Sequence, residues 1–492
     1  MNHIKHPIIY LAFCVLIIIT FNTSCSKDAE IPIYSDFPTE VGKIIANKCA
    51  NSGCHNNTSY EAAANLNLSS FANLFKGSVN GSPVIPYSSE FSSLCSFINT
   101  YPELGIISSP SMPINAKPLS KEEVITFKNW IDNGAPDIKG NVMWSDNPNR
   151  KKYYVSNQGC DVVTVFDANT QLPMRFITVG NSPSRDDIPH MVKVSPDGKY
   201  WYVIFVNDNK LKKYRTADDA FVAEVDLGKD IDLKPYNNWN TMTISPDSKK
   251  AYCVSWLANG RIASVDLETM KLIHNYGGYN YSHGSALNHT NDTLYITSQY
   301  GNFIYKIDTG FNSSTQVMLD MSSTPIYVPN TIDPHEIIFS NDGTKYFVTC
   351  QSSNEVRVMN TSDNKLLATI KTGKTPLEIV KSDIRQKLYV TCQDEPNATN
   401  TKQKGCVTVI DMNTFQSKNY PVGYEVHGIA VDEENGLLIV ASRNTLTNGP
   451  TPHHTNICGR AGFVNYFNLN TMQLLKKTTE LAADPYSVSI RP

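Results

Sequence analysis

The chain has no surplus of either charge. Its 492 residues carry a net charge of −3, and charged side chains make up 18%. Without a basic excess there is no electrostatic footprint for nucleic acid, and no acidic run marks a solvated tail. No apolar run is long enough to cross a bilayer comfortably. Pro7 to Phe21 (PIIYLAFCVLIIITF) has 15 residues, against the roughly 20 of a spanning helix. No GxSxG, Walker or GxGxxG motif stands in a strand–turn–helix context, which removes the usual hydrolase, phosphate-loop and dinucleotide readings. A cysteine framework is also missing. Of 11 Cys, nine remain once Cys14 in the apolar run and Cys25 just after it are set aside, an odd number at scattered spacings. Cys253, Cys350 and Cys392 sit inside apolar strand patterns and read as buried thiols.

What is present begins with a short basic N-terminus, Met1 to His6, ahead of the 15-residue run. That order suits a secretory signal peptide over residues 1–24. Asn22-Thr23-Ser24-Cys25 resembles a bacterial lipobox, which implies lipidation of Cys25, a polar tether over 25–36, and attachment to a bacterial membrane through the lipid. An uncleaved anchor is the alternative. In either case the rest of the chain is expected outside the cytoplasm, periplasmic or at the cell surface. The length calls for two or more domains, and abundant Tyr (25) with well-spread Gly and Pro suits β-structure with many turns.

A unit recurs from Pro189 onward: PHMVKVSPDGKYWYV, then segments beginning at Trp239, Ser282, Pro334, Pro376 and Val426. Each has an apolar strand, a turn rich in Asp, Asn and Gly, and a second apolar strand, which is a β-hairpin signal. A third strand ends near Asp or Asn (GRIASVD, GNFIYKID, GCVTVID) and a fourth, more polar one follows. Four strands every 42 to 59 residues is a propeller-blade period. Six hairpins predict six blades. DPYSVSIRP at the C-terminus begins a seventh, and its missing strands lie at residues 151–180. The expected fold is mainly β: a seven-bladed β-propeller over 151–492, its last blade closed by residues 484–492 with 151–180. The repeats, as in KYFVTCQSSNEVRVMNTSDNKLLATIKTGKTP, resemble the YVTN-type propeller family. That likeness is specific for fold and weak for function, because propellers serve as enzymes, cofactor holders and binding platforms.

Residues 37–140 differ in character, with 141–150 as a linker. Ser120 with Glu123 reads as a capping box that starts a helix, with Val124, Phe127 and Ile131 on one face and Gly134 at its end. Residues 38–48 suit a shorter helix leading into Cys49-Ala50-Asn51-Ser52-Gly53-Cys54-His55. Two thiols followed at once by His can form thioethers to the two haem vinyls and set the imidazole beneath the iron. Four residues separate the thiols instead of the usual two, and Gly53 allows the longer loop to bulge. Met112 in SPSMP precedes the capped helix. The order of helix, Cys-Cys-His, Met and helix resembles the small c-type cytochromes. This implies a small α-helical domain with covalent haem c on Cys49 and Cys54, iron ligands His55 and Met112, and Trp130 near the haem. The alternatives are a Cys49–Cys54 disulfide or two buried thiols. A zinc site is disfavoured, since no second ligand pair follows.

Alignment of the repeats puts His190, Asn240, His283, His335, Leu377, His427 and Tyr486 in register at the start of the innermost strands. His453 and His454 lie on a long loop of the sixth blade, flanked by Arg443 and Arg460. One reading gives these imidazoles hydrogen bonds to neighbouring blades. The other gives them a metal or second cofactor in the channel, for which neutral imidazole suits Cu, Zn, Ni or Fe. Nitrous oxide reductase and the haem-d nitrite reductases resemble the second arrangement in outline. Three functions follow: a haem c electron-transfer lipoprotein that docks a redox partner protein, an oxidoreductase with a metal in the propeller channel, or a non-enzymatic binding module.

Overall fold

The computed structural model describes residues 34, 36–181, 183, 186–228, 238–394, 404–443 and 460–492. The signal-peptide and lipidation readings, including Cys25, lie outside these residues, as do His453 and His454. No helix of the described residues is long and apolar enough to cross a membrane.

Strands β1 to β28, numbered along the chain, form seven four-stranded antiparallel sheets. The innermost strands are β4 (Pro189–Val194), β8 (Trp239–Ile244), β12 (Ser282–Leu287), β16 (Pro334–Phe339), β20 (Lys374–Ser382), β24 (Val426–Asp432) and β28 (Pro485–Ile490). The last sheet has the order β28-β1-β2-β3, where β1 is Lys152–Asn157, β2 Val162–Asp167 and β3 Leu172–Thr178. The C-terminal strand thus pairs with β1 (Val155 opposite Val488), closing the ring as the repeats predict. Closure protects the sheet edges that would otherwise recruit other strands.

Apolar side chains fill the seams between blades. Phe347, Val358, Leu388, Val390 and Ile410 form one such cluster, all fully buried. Each contributes about 1.5–3 kcal/mol by leaving water. A second device is polar. In four of the seven blades the Thr or Ser of the second strand points into a seam and donates its hydroxyl to the next blade, whereas Ile204, Val254 and Ala441 take this position in the others. Thr297 Oγ1 reaches the His335 carbonyl at 2.9 Å, Thr349 the Leu377 carbonyl at 2.8 Å, Thr391 the His427 carbonyl at 2.6 Å and Ser156 the His190 carbonyl at 3.1 Å. The threonine of the repeat is therefore a seam clasp, aimed at the carbonyl of the residue nearest the axis.

Every innermost strand carries a bulge at that position, for example between Pro334 and Ile337 and between Pro376 and Ile379. A bulge re-aims the residues it contains. Two positions earlier each blade has a residue with positive φ: Ile188, Asn238, Tyr281, Asp333, Thr375, Glu425 and Asp484, between +40° and +58°. For β-branched Ile188 and Thr375 this conformation is strained, and only a ring that over-determines it retains it.

Residues 34–150 carry the helices. α1 (Thr39–Ile44) runs directly into a wider π-helical turn, Ile45–Cys49, which ends on the first cysteine of the motif. α2 (Phe71–Leu74) and α3 (Ser93–Ile98) are short. α4 (Lys121–Asp132) has the capping box read from Ser120 and Glu123. Phe37, Val41, Leu74, Val124, Phe127 and Ile131 form their common core, joined by Leu172 and Met174 of β3. Phe91 stacks on Phe176 of the same strand, with centroids 4.4 Å apart and planes at 5°. The helical region thus lies on the outer strand of the closing blade, a contact the repeat pattern alone does not disclose.

Candidate cofactor pocket and propeller hub

The π-helical turn delivers Cys49 to the rim of a cavity of about 560 Å³. That volume lies within the roughly 300–1,000 Å³ of small-molecule and cofactor sites. Cys49, Cys54, His55 and Met112 all line it. Leu66, Leu68, Leu94, Phe97, Ile98 and Leu119 supply apolar walls. The four-residue spacer folds back on itself: Cys54 N–H donates to Asn51 O at 3.0 Å, and His55 N–H to Cys49 O at 3.2 Å. Gly53 sits at φ +81° with open space where a side chain would be, so the extra residues loop outward as the sequence implied.

His55 is oriented by a backbone group. Its Nδ1–H donates to the Leu66 carbonyl at 3.0 Å. A carbonyl only accepts, so the proton sits on Nδ1 and the Nε2 lone pair is left available. This is the outer partner that metal-bound histidines commonly use. Burial pushes the His55 pKa below its usual value, with smaller opposing effects from the Leu66 and Ala63 carbonyls, so the ring stays neutral. Cys49 and Cys54 are free thiols in this structure. The Cys49 pKa is pushed up to about 12, first by burial and then by Glu123 and Cys54, so this sulfur is a neutral thiol. Met112 is tethered through its backbone, whose N–H donates to Phe97 O at 2.7 Å. Trp130 departs from expectation. It packs in the core against Phe37 and Phe127, both at 6.2 Å, and its indole N–H donates to Pro136 O. It is not among the pocket-lining residues.

Cysteines elsewhere follow two patterns. Cys253, Cys350 and Cys392 are fully buried free thiols, as their strand positions predict. Cys160 is disulfide-bonded, so the scattered spacing conceals one bridge.

At the hub the seven registered residues are all at most 3% exposed. The five with rings close on one another. Centroids are 5.9 Å apart for His190–His283, 3.9 Å for His283–His335, 5.8 Å for His335–His427, 3.6 Å for His427–Tyr486 and 4.1 Å for Tyr486–His190. The axis is therefore plugged by packed rings where the sequence reading left an open channel. His190 Nδ1 is 2.7 Å from Asn240 O, and His427 Nδ1 is 3.1 Å from Tyr486 O, each a bond to the next blade. Arg443 is buried, ion-paired to Asp484 and 5.3 Å from the Tyr486 ring. Two hub-lining carboxylates escaped the sequence reading: Glu336 and Glu378, each one residue past an aligned position and inside a bulge. Alignment one step further along PHE and PLE finds them.

No protein-family model matches the chain, and no curated protein is detectably similar to it in sequence. Among solved structures it is similar to hydrazine synthase of Kuenenia stuttgartiensis, at 15% identity over 62% of this chain and 90% of that one, with a TM-score of 0.49. It is also similar to a functionally unknown protein from Desulfotomaculum acetoxidans DSM 771, at 16% identity over 68% and 99%, with a TM-score of 0.48.

Proposed function

We propose that the chain is an exported haem c protein that transfers electrons, with the propeller as the platform that docks its redox partner. The observation that supports this best is the convergence of Cys49, Cys54, His55 and Met112 on one apolar cavity. The donor set fits the group: two neutral or free thiols for the vinyl carbons, a neutral imidazole with its Nδ1 proton already engaged, and a thioether from a separate segment. Cys49 and Cys54 would hold the porphyrin covalently, and His55 and Met112 would ligate its iron. A haem so ligated supplies reversible one-electron transfer at a raised potential. The chain's own residues do the rest. The Leu66 carbonyl fixes the imidazole, Phe97 O fixes the backbone of Met112, and the leucine walls keep water from the site. The Cys160 disulfide accords with an oxidising compartment.

The test is the full chain expressed in a host that matures c-type cytochromes. Haem that survives denaturing electrophoresis and acid–acetone extraction is expected, and Cys49→Ser with Cys54→Ser is expected to abolish it. Absence of a Soret band in the wild-type protein, or haem removed by acid–acetone, refutes the proposal.

A further inference from the structure

A cavity of about 650 Å³ follows the propeller axis and is lined by residues of all seven innermost strands, from Met191 to Val488. These residues lie just past the aligned ring positions, so the ring plug forms the cavity's closed end. Lys193, Glu336 and Glu378 bring charge into this funnel.

At the closed end one side differs from the rest. His283 on β12 and His335 on β16 belong to neighbouring blades, and their rings are the closest His pair in the hub at 3.9 Å. Glu336 follows His335 in the same bulge. Ligand atoms of His283, His335 and Glu336 all lie within 4.8 Å of one another. Two of these groups have an atom left over. His283 Nδ1 and Glu336 Oε2 are buried and have no hydrogen-bond partner. A buried carboxyl is costly to ionise unless its oxygens are paired or coordinate a cation. Gly284 makes the arrangement sterically possible, because a Cβ there would lie 2.5 Å from His335 O and 2.6 Å from Glu336 Oε1. The local structure thus forgoes a side chain where the carboxylate sits.

We propose that His283, His335 and Glu336 bind a divalent transition-metal ion of the zinc class at the closed end of the funnel. Two imidazoles and one carboxylate are a set that zinc and similar ions accept, with metal–ligand lengths of about 2.0–2.2 Å. Coordination at these lengths requires the three atoms, now within 4.8 Å of one another, to close in. Glu336 lines the funnel, so a fourth coordination position faces it and admits water or a small ligand. His190 and His427, already bonded to the Asn240 and Tyr486 carbonyls, stand outside the site.

The experiment uses the full chain, stripped with chelator and dialysed against Zn²⁺, with metal counted by elemental analysis and affinity measured by calorimetry. Glu336→Gln keeps the shape of the side chain, and His283→Asn removes a ligand. Each is expected to weaken the hub site at least about tenfold, the lower end of what even outer-shell changes cost. His190→Asn, with the same ring-to-amide change in the hub, is expected to bind as wild type. Zinc held through Cys49, Cys54 and His55 is separated by its indifference to Glu336→Gln. Circular dichroism verifies that each variant is folded. Wild-type affinity in folded Glu336→Gln overturns the proposal, as does equal loss in His190→Asn.

Discussion

Thr349 offers the sharpest test of how the blades are joined. Its hydroxyl sits in the seam between the β16 and β20 blades with no exposure. It accepts from the Glu336 N–H at 2.9 Å and donates to the Leu377 carbonyl at 2.8 Å. Thr349→Val keeps the shape, so no cavity opens, but both bonds vanish and a buried donor and a buried acceptor are left unpaired. Each such orphan costs about 1–3 kcal/mol, and partial relaxation of a bulged strand pulls the sum toward the low end, about 2–4 kcal/mol. For a large domain, at roughly 2 °C per kcal/mol, the thermal midpoint falls by about 4–8 °C.

The assay is thermal and urea unfolding followed by circular dichroism, alongside Thr349→Ser and Thr369→Val. Serine keeps the hydroxyl and is expected to recover most of the loss. Thr369 is an exposed strand residue, so its change is expected to stay within about 0.5 kcal/mol. If Thr349→Val shifts the midpoint no more than Thr369→Val, the clasp does not stabilise the seam and its account here is wrong.

Other consequences follow from the same geometry. Thr375→Asn, at φ +52°, is expected to raise stability by about 0.5–1 kcal/mol, because Asn tolerates this conformation and a β-branched residue does not; urea midpoints decide it. Phe91→Ala, which removes the stacked contact with Phe176, is expected to cost about 2–4 kcal/mol and to make residues 34–150 more susceptible to limited proteolysis while the propeller resists. The Asp161 carboxyl has its pKa raised to about 6, mainly by burial, against opposing bonds from the Asp187 and Ile188 amides. Between the unfolded value near 4 and about 6 the native state keeps a proton that the unfolded chain releases. Stability therefore falls as pH rises through this window, by up to about 3 kcal/mol, and the loss is complete above it. Asp161→Asn is expected to flatten that slope in urea midpoints taken from pH 4 to pH 7.

Much of the ring was legible because its signals are local. Turn residues at SPDG-like sites and alternating strands repeat at a blade's length, and the orphan strand at Pro485 asks for partners that only residues near 150 supply. The seven positive-φ residues were not legible. Local chemistry would put Gly or Asn there, yet Ile188 and Thr375 occupy two of them. Closure of the ring imposes that conformation, and a closure constraint leaves no trace in a single blade's sequence. The YVT threonine was visible as a motif, but its purpose needs the next blade's carbonyl. In the helical region the order and spacing of Cys49, Cys54, His55 and Met112 pointed to one site, and the four line one cavity. The Leu66 carbonyl that orients His55 was not, since any residue presents one.

The hub shows how a symmetric backbone gains a polar centre. All seven blades present the same bulge and the same left-handed residue, so the backbone treats their axial positions alike. The side chains do not. Carboxyl groups follow the axial residue only in the adjacent β16 and β20 blades, and Glu378 adds to the cost of ionising Glu336. Glu336 is held well above the usual carboxylate range by burial and then by Glu378, while Glu378 is raised to about 7 by burial, with Lys193 opposing both. Carboxyl groups line one flank of the funnel, whereas Met191 and Val192 line another. A cation on the axis would be drawn off-centre toward Glu336, and His283 and His335 are the imidazoles within reach of it there. A complete His ring would have centred it. The breaks in the histidine pattern at Asn240, Leu377 and Tyr486 therefore argue for one small, lopsided site and against a cluster on the axis.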